Sequence, residues 1–209
     1  MQCVFDVGVR EDTPELRQSY ADVKHYLFEP VAEFHPAIER NYRSVEHELI
    51  GLAASDAASI GMLSTHSVES EALVTHSTLV TDASQSKGRD VRSVETVRLD
   101  DFIESRRITG PIFLKIDVDG NELKVMEGAR GAIPKIPVVI MEASRSFFAD
   151  RVRFMDECGY RIFDIIGLCY YQDIFHQADL VFMRKNLIDT HSFNAWERGP
   201  FDAMRWSQI

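Results

Sequence analysis

Apolar residues gather in short runs along this chain, and run after run closes on a carboxylate. CVFDVG (Cys3–Gly8) predicts a buried strand entering a tight turn, with Asp6 and Gly8 at its end. TPEL follows, with Thr13 as N-cap and Pro14 at the first helical position. KHYLFEP (Lys24–Pro30) reads as a second strand closed by Glu29 and a proline. In VAEFHPAIERNY, Val31, Phe34 and Ile38 recur at helical spacing, and Pro36 limits any helix to short pieces. ELIGLAASD (Glu48–Asp56) predicts a third strand, again ending in an acid.

From Ala57 to Val97, SIGMLS and ALVTHSTLV alternate like the strands of a hairpin, and TDASQSKGRD (Thr81–Asp90) is a polar loop. VETVRLDDFI returns to a strand and then a short helix, with Asp100 or Asp101 near its start. In FLKIDVDGNELKVMEGAR an apolar strand stops on Asp117 and Asp119. A glycine follows, then a helix carrying Glu122, with Leu123, Met126 and Ile133 on or near one face. PVVIMEAS (Pro137–Ser144) is the next strand and ends beside Glu142. SFFADRVRFMDECGY predicts a helix from Phe148, Val152 and Met155, with Gly159 as its C′ residue. YRIFDIIG and DLVFMRKN are the last strands, and the segment between them has no helical pattern.

Strands alternating with helices imply an α/β fold, a parallel sheet with helices on both faces. The final strand pair predicts an antiparallel hairpin at its margin. With no repeat and no linker, residues 1–209 read as one domain. The tail from Leu187 to Ile209 carries Phe193, Trp196, Phe201 and Trp206, too aromatic for a disordered segment. It is expected to pack back on the domain; a lid over the acceptor or a homodimer contact is the sharper reading.

A formal net charge of −10 argues against a nucleic-acid backbone as main partner. No run approaches the roughly 20 apolar residues of a membrane span, and no secretory signal is visible. Cys3, Cys158 and Cys169 are too widely spaced for a zinc ribbon or disulfide framework, which points to a reducing compartment, the cytoplasm.

The acids are the candidate chemistry. In open α/β sheets, ligands bind beyond the carboxyl ends of the strands, where Asp6, Glu29, Asp56, Asp117 and Glu142 are expected. A strand, a glycine turn, a helix and an acid about 20 residues on is the spacing of a nucleoside-binding βαβ unit. Glu29 fits the acid that accepts hydrogen bonds from ribose hydroxyls; its bland role is to cap the helix after Pro30.

VFDVG, YLFEP, LDDFI, FLKIDVDGNELKVMEGAR and VVIMEAS together resemble the FkbM-type methyltransferases, in the same order and from about Val4 to about Asn186. The resemblance implies a Rossmann-like class I methyltransferase fold, with a seven-stranded, mostly parallel sheet whose last strand is antiparallel. It implies S-adenosylmethionine as cofactor and methyl transfer to a hydroxyl on a sugar or related small metabolite. Carried over by position, Asp6 and Gly8 belong to the cofactor loop, Glu29 holds the ribose, Ser55 and Asp56 sit near the adenine, and Asp117 lies beside the transferred methyl group. Asp119 and Glu122 share the Asp117 motif without an assigned role. The family's first motif reads D-V-G-A-N-x-G, and here it is DVGVRED, so Asp12 replaces the second glycine.

A hydroxyl is a poor nucleophile, so a base or a metal is expected beside it. Asp117 is the first candidate base and Glu142 the second. A divalent metal on Asp117, Asp119 and Glu142 is the alternative, and His66 and His76 are weaker candidates. Three other readings compete. IDVDGNEL resembles the strand-end motif of haloacid-dehalogenase-type phosphatases, but Asn121 stands where that motif has Thr. A nicotinamide enzyme lacks its G-x-G-x-x-G. A non-catalytic binding or assembly module with the same fold is the third, favoured by the altered VRED loop.

Overall fold

The computed structural model describes residues 1–66, 76–80, 90–190 and Met204. The chain runs β1 (Cys3–Val7), α1 (Pro14–Ser19), β2 (Lys24–Phe28), α2 (His35–Tyr42), β3 (His47–Ile50), β4 (Ala53–Ala54), β5 (Ile60–His66), β6 (His76–Val80) and β7 (Asp90–Val97). It continues with α3 (Leu99–Ser105), β8 (Ile112–Ile116), α4 (Glu122–Glu127), β9 (Val138–Ser144), α5 (Phe148–Glu157), β10 (Tyr160–Tyr171), β11 (Ile174–Arg184) and α6 (Lys185–Thr190).

The main sheet has seven strands in the order β10-β11-β9-β8-β1-β2-β3. β1 pairs in parallel with β2 and β8, β2 with β3, and β8 with β9, whereas β11 is antiparallel to both of its neighbours. This is the expected class I topology. All five residues of β1 are buried, which suits a central strand covered on both faces. Phe5 and Val7 point into the larger core with α3, α4 and α5, where Phe102 meets Phe5, Tyr26 and Phe28 edge-on at 5.0–5.8 Å. Val4 faces the other way, onto Leu16 of α1. Ile38 and Tyr42 of α2 pack with Leu27 in a third cluster, which also takes Leu63 and Val94.

Three expectations change. The single strand over Glu48–Asp56 is two: β3 ends at Ile50, and β4 joins a second sheet of order β4-β7-β5-β6. The apolar run hides this break because both pieces are buried at their ends. The stretch around Pro36 comes in short pieces as expected, a 3-10 turn at Ala32–Phe34 and the eight residues of α2, with Pro36 in the first turn of α2 where its missing N–H is harmless. The helix after β8 is short: α4 stops at Gly128, and Ile133 lies on a separate 3-10 turn, Arg130–Lys135, whose Gly131 and Ala132 N–H groups donate to Asp100. The last two strands do not stop short of LCYYQDIFHQA but run through it. They meet at Gln172–Asp173, both left-handed as a two-residue hairpin turn requires.

The hairpin over β5 and β6 is present, antiparallel, with His66 opposite His76. α5 ends as expected before Gly159, whose φ is +86°. The polar loop at 81–89 and most of the aromatic tail, 191–203 and 205–209, lie outside the described residues.

Candidate active site

The connections from β1 and β8 leave the sheet on opposite faces, α1 on one and α4 on the other, which opens a crevice at the carboxyl ends of these two neighbours. Gly8 sits in that fork. Its φ is +89°, and a Cβ there would lie 1.9 Å from the Asp117 carbonyl oxygen. Conformation and contact both demand glycine. The Gly8 N–H donates to the Phe28 carbonyl and the Asp117 N–H to that of Val7, both at 2.9 Å, so the three strand ends are held as a unit. Gly8→Ala is expected to cost about 2–5 kcal/mol, from overpacking and left-handed strain together; urea unfolding of the variant measures it.

The loop from Arg10 to Thr13, where the sequence departs from the family pattern, is tied down at each residue. The Arg10 N–H donates to Glu29 at 2.8 Å, and Arg10 itself is left-handed with φ +57°. The Glu11 carbonyl accepts from Asn41 at 3.0 Å. Asp12 takes two N–H donors of Arg17, at 2.9 and 2.8 Å. The Thr13 N–H donates to the Tyr42 hydroxyl at 3.2 Å. Asp12 is not among the residues with positive φ, so the position of the second glycine no longer needs one.

Beside the fork lies a cleft. Gly8, Glu29 and Asp117 line it, with an apolar wall of Leu52, Ala53 and Ala54, and Leu63 and Leu79 from the second sheet. Glu29 is 3% exposed. Its two carboxyl oxygens accept the N–H groups of Arg10 and Val31, at 2.8 and 2.9 Å. Each oxygen keeps a lone pair for a further donor. Burial pushes this carboxyl up to about 7, against the pull of those two N–H groups. A ligand hydroxyl would meet an acceptor already oriented by the backbone.

On the sheet face that carries α1, a row of charges crosses the strand ends. Lys115 stands between Asp117, 3.0 Å away, and Asp6, 3.9 Å away. Asp6 is fully buried, and its Oδ1 has no hydrogen-bond partner, so the ammonium is its compensation. Register places Asp179 of β11 opposite Glu142 of β9. Glu142 accepts a hydrogen bond from the Gln177 amide, and among the described residues no cation lies within ion-pair distance of it. Burial, then Asp117, Asp119, Glu122 and Asp179, push its carboxyl up to about 8.

The 117–122 segment is fixed from two sides. Asp119, left-handed with φ +48°, accepts the Ser77 N–H at 2.9 Å, and the Asn121 amide donates to the Leu79 carbonyl at 3.3 Å, so both reach the second sheet. Glu122 accepts the Gly120 N–H at 2.9 Å and pairs with Arg151, both side chains nearly inaccessible. Arg151 also donates to the Glu142 carbonyl at 3.0 Å.

The crevice therefore brings Gly8, Glu29 and Asp117 together, with Glu142 one strand beyond Asp117. Asp6 lies beneath the loop rather than in the cleft lining. Ser55 and Asp56, hydrogen-bonded to each other at 3.0 Å, follow the Leu52–Ala54 wall without joining it. His66 is also outside the lining. Among the described residues, no three His, Cys, Asp or Glu side chains form a group that could hold a metal ion. Sequence reasoning missed Leu63, Leu79 and Asn121; for the two leucines the alternation of the β5–β6 hairpin was the available signal. It also missed Arg151, which shares the helix face of Phe148 and Met155; that spacing was the available signal, masked by the residue's charge.

Structural likenesses are remote. The magnesium protoporphyrin IX methyltransferase of Synechocystis PCC 6803, with bound SAM, shares 7% identity at a TM-score of 0.47, covering 87% of this chain and 69% of its own. The ribosomal protein L11 methylase of Lactobacillus delbrueckii subsp. bulgaricus shares 12% at 0.41, covering 88% and 70%. A search among curated proteins finds no match. The methyltransferase FkbM domain, by contrast, matches residues 3–162, the stretch that builds the whole cleft. The chain belongs to the FkbM methyltransferases, whose methyl donor is S-adenosylmethionine.

Proposed function

We propose that this methyltransferase acts on a hydroxyl of a sugar or related small metabolite, with Glu142 as the general base. The observation that carries this reading is the contrast between two neighbouring carboxylates. Asp117 has its own ammonium partner in Lys115, whereas among the described residues Glu142 has none and is held near 8. A carboxylate that resists ionisation is matched to a proton released near neutral pH. Asp117, the nearer to the cleft, orients the acceptor, and Glu142 takes the proton.

Bound in the cleft, S-adenosylmethionine supplies an electrophilic methyl group. Glu29 would hold its ribose hydroxyls, and Gly8 leaves room for backbone approach. The apolar wall at Leu52–Ala54, with Leu63 and Leu79, offers a slot for a flat base, and Ser55 and Asp56 stand just past it. The thiols of Cys3, Cys158 and Cys169 are unpaired, which accords with a reducing cytoplasmic setting.

The test is a screen of carbohydrate and small-alcohol acceptors, with release of S-adenosylhomocysteine as readout, followed by a pH profile. Turnover should rise with pH through about 8 as Glu142 ionises. Glu142→Gln should lower kcat by about 10²–10⁴-fold and leave cofactor affinity unchanged. An unaltered kcat in the variant would remove Glu142 from the chemistry.

A second readout needs no acceptor. The folded-state pKa of Glu142 lies above its ordinary value of 4.5, so the folded protein keeps a proton that the unfolded chain has released. Stability from this group is present below about 4.5, falls as pH rises and is lost above about 8. Glu142→Gln should therefore melt higher than wild type at pH 8, with the gap closing toward pH 5.

A further inference from the structure

The loop from Val9 to Thr13 carries the departure from the family pattern, and much of what holds it comes from α2. Val9 is buried in one cluster with Ile38 and Tyr42. The Glu11 carbonyl accepts from the Asn41 amide at 3.0 Å, and the Thr13 N–H donates to the Tyr42 hydroxyl at 3.2 Å. Asn41 and Tyr42 are the last two residues of α2. Between these ties Arg10 is left-handed, a conformation that a residue with a side chain keeps only where its surroundings hold it. Its N–H points at Glu29, 2.8 Å away.

Tyr42 is fully buried. The rings of His25 and His47 each lie 5.8 Å from its own, and the Arg17 guanidinium lies over it at 5.9 Å. Its hydroxyl accepts from Thr13 and donates to one oxygen of Asp6 at 3.5 Å. Lys115 stands 3.9 Å from the other oxygen of Asp6 and 3.0 Å from Asp117. A chain of polar contacts therefore runs from Asp117 in the crevice to the loop, and the Tyr42 hydroxyl is its last link. Arg17 makes a second connection: the guanidinium over the Tyr42 ring also forks onto Asp12, with bonds of 2.9 and 2.8 Å. Two parallel bonds fix direction as well as distance. A glycine at position 12 would offer no such anchor.

We propose that Tyr42 and the Asp12–Arg17 pair are positioning residues for the cofactor, clamping the loop in the shape that presents the Arg10 N–H to Glu29, an inference that rests on Glu29 holding the ribose. Tyr42 grips the loop at Thr13, and Arg17 grips it at Asp12 while resting on Tyr42. The direction of one Glu29 oxygen is set by the Arg10 N–H, so freedom in the loop becomes freedom in the ribose acceptor. A loop ordered before the ligand arrives costs no ordering entropy at binding. Where the family pattern has an adaptable glycine, this chain has a carboxylate held in place.

Calorimetric titration with S-adenosylmethionine compares wild type, Tyr42→Phe, Arg17→Met, Asp12→Gly and the double variant Asp12→Gly, Arg17→Met, with urea unfolding of each alongside. Tyr42→Phe should weaken binding about tenfold, and Arg17→Met and Asp12→Gly about threefold each. The double variant should lose no more than either single one, because both remove the same interaction. The Arg10 and Thr13 amides should exchange faster with solvent in Tyr42→Phe. The pH midpoint of binding should also move. The Arg10 N–H favours the ionised Glu29, so releasing the loop should shift the midpoint upward from about 7, while the charges facing Glu29, Asp6 and the Arg10 side chain, are retained. Folded variants that unfold at lower urea yet keep wild-type affinity and pH midpoint overturn the clamp and leave Glu29 as the ribose acceptor. Losses that multiply in the double variant overturn it as well, since Asp12 and Arg17 would then act apart. A wild type that binds no S-adenosylmethionine overturns both the clamp and the cofactor reading of the cleft.

Discussion

Glu29→Ala is expected to weaken S-adenosylmethionine binding at least about hundredfold. A buried carboxylate accepting two ribose hydroxyls contributes roughly 1.5–3 kcal/mol per hydrogen bond, and each 1.4 kcal/mol is about tenfold in affinity. The substitution also leaves the Arg10 and Val31 N–H groups without their acceptors, which loosens the cofactor loop at Arg10, two residues before Asp12. Burial adds a pH signature. Protonation turns an acceptor oxygen into a donor, so wild-type affinity should fall as pH drops through about 7. Calorimetric titrations at pH 6 and pH 8 measure both effects, with circular dichroism to confirm that the variant is folded. Equal affinity for the two proteins would show that Glu29 is only a cap on the turn after Pro30.

Arg151→Met is expected to produce the largest loss of stability, about 3–5 kcal/mol. The variant strands the Glu122 carboxylate, 1% exposed, without its cation. It also releases the Glu142 carbonyl and so the end of β9. For a chain of this size, about 2–4 °C per kcal/mol makes the expected fall in Tm roughly 6–20 °C. The double variant Arg151→Met, Glu122→Met should recover most of it, because replacing a whole buried ion pair by apolar groups is often neutral. Thermal and urea unfolding check this. A single variant that melts with wild type would mean that the pair contributes nothing, and that the 117–122 segment is held by Ser77 and Leu79 alone.

The acidic strand ends were legible in sequence because each closes an apolar run, and the sheet rule tells where such ends meet. Glu29 and Asp117 reached the cleft on that logic alone. The family resemblance then implied seven strands with an antiparallel last one, which periodicity cannot supply. What stayed hidden depends on contacts between distant segments. Nothing in DVDGNE says that Asp119 accepts the Ser77 N–H across 42 residues. Position 151 shares the helix face of Phe148 and Met155, but an arginine there does not announce that it pairs with Glu122. Nor does ELIGLAASD, apolar between its ends, reveal that the chain changes sheets at Gly51. Asp12 shows the reverse case: a residue that reads as a broken motif is accommodated by Arg17, five positions on.

The central claim is that this cleft binds S-adenosylmethionine despite the VRED loop. Calorimetric titration of the wild-type protein with S-adenosylmethionine, with and without a divalent metal, tests it most directly. Saturable one-to-one binding that does not need the metal is the predicted result. No binding by the folded protein under either condition would contradict it, and would make this chain a binding module that keeps the methyltransferase fold without its chemistry.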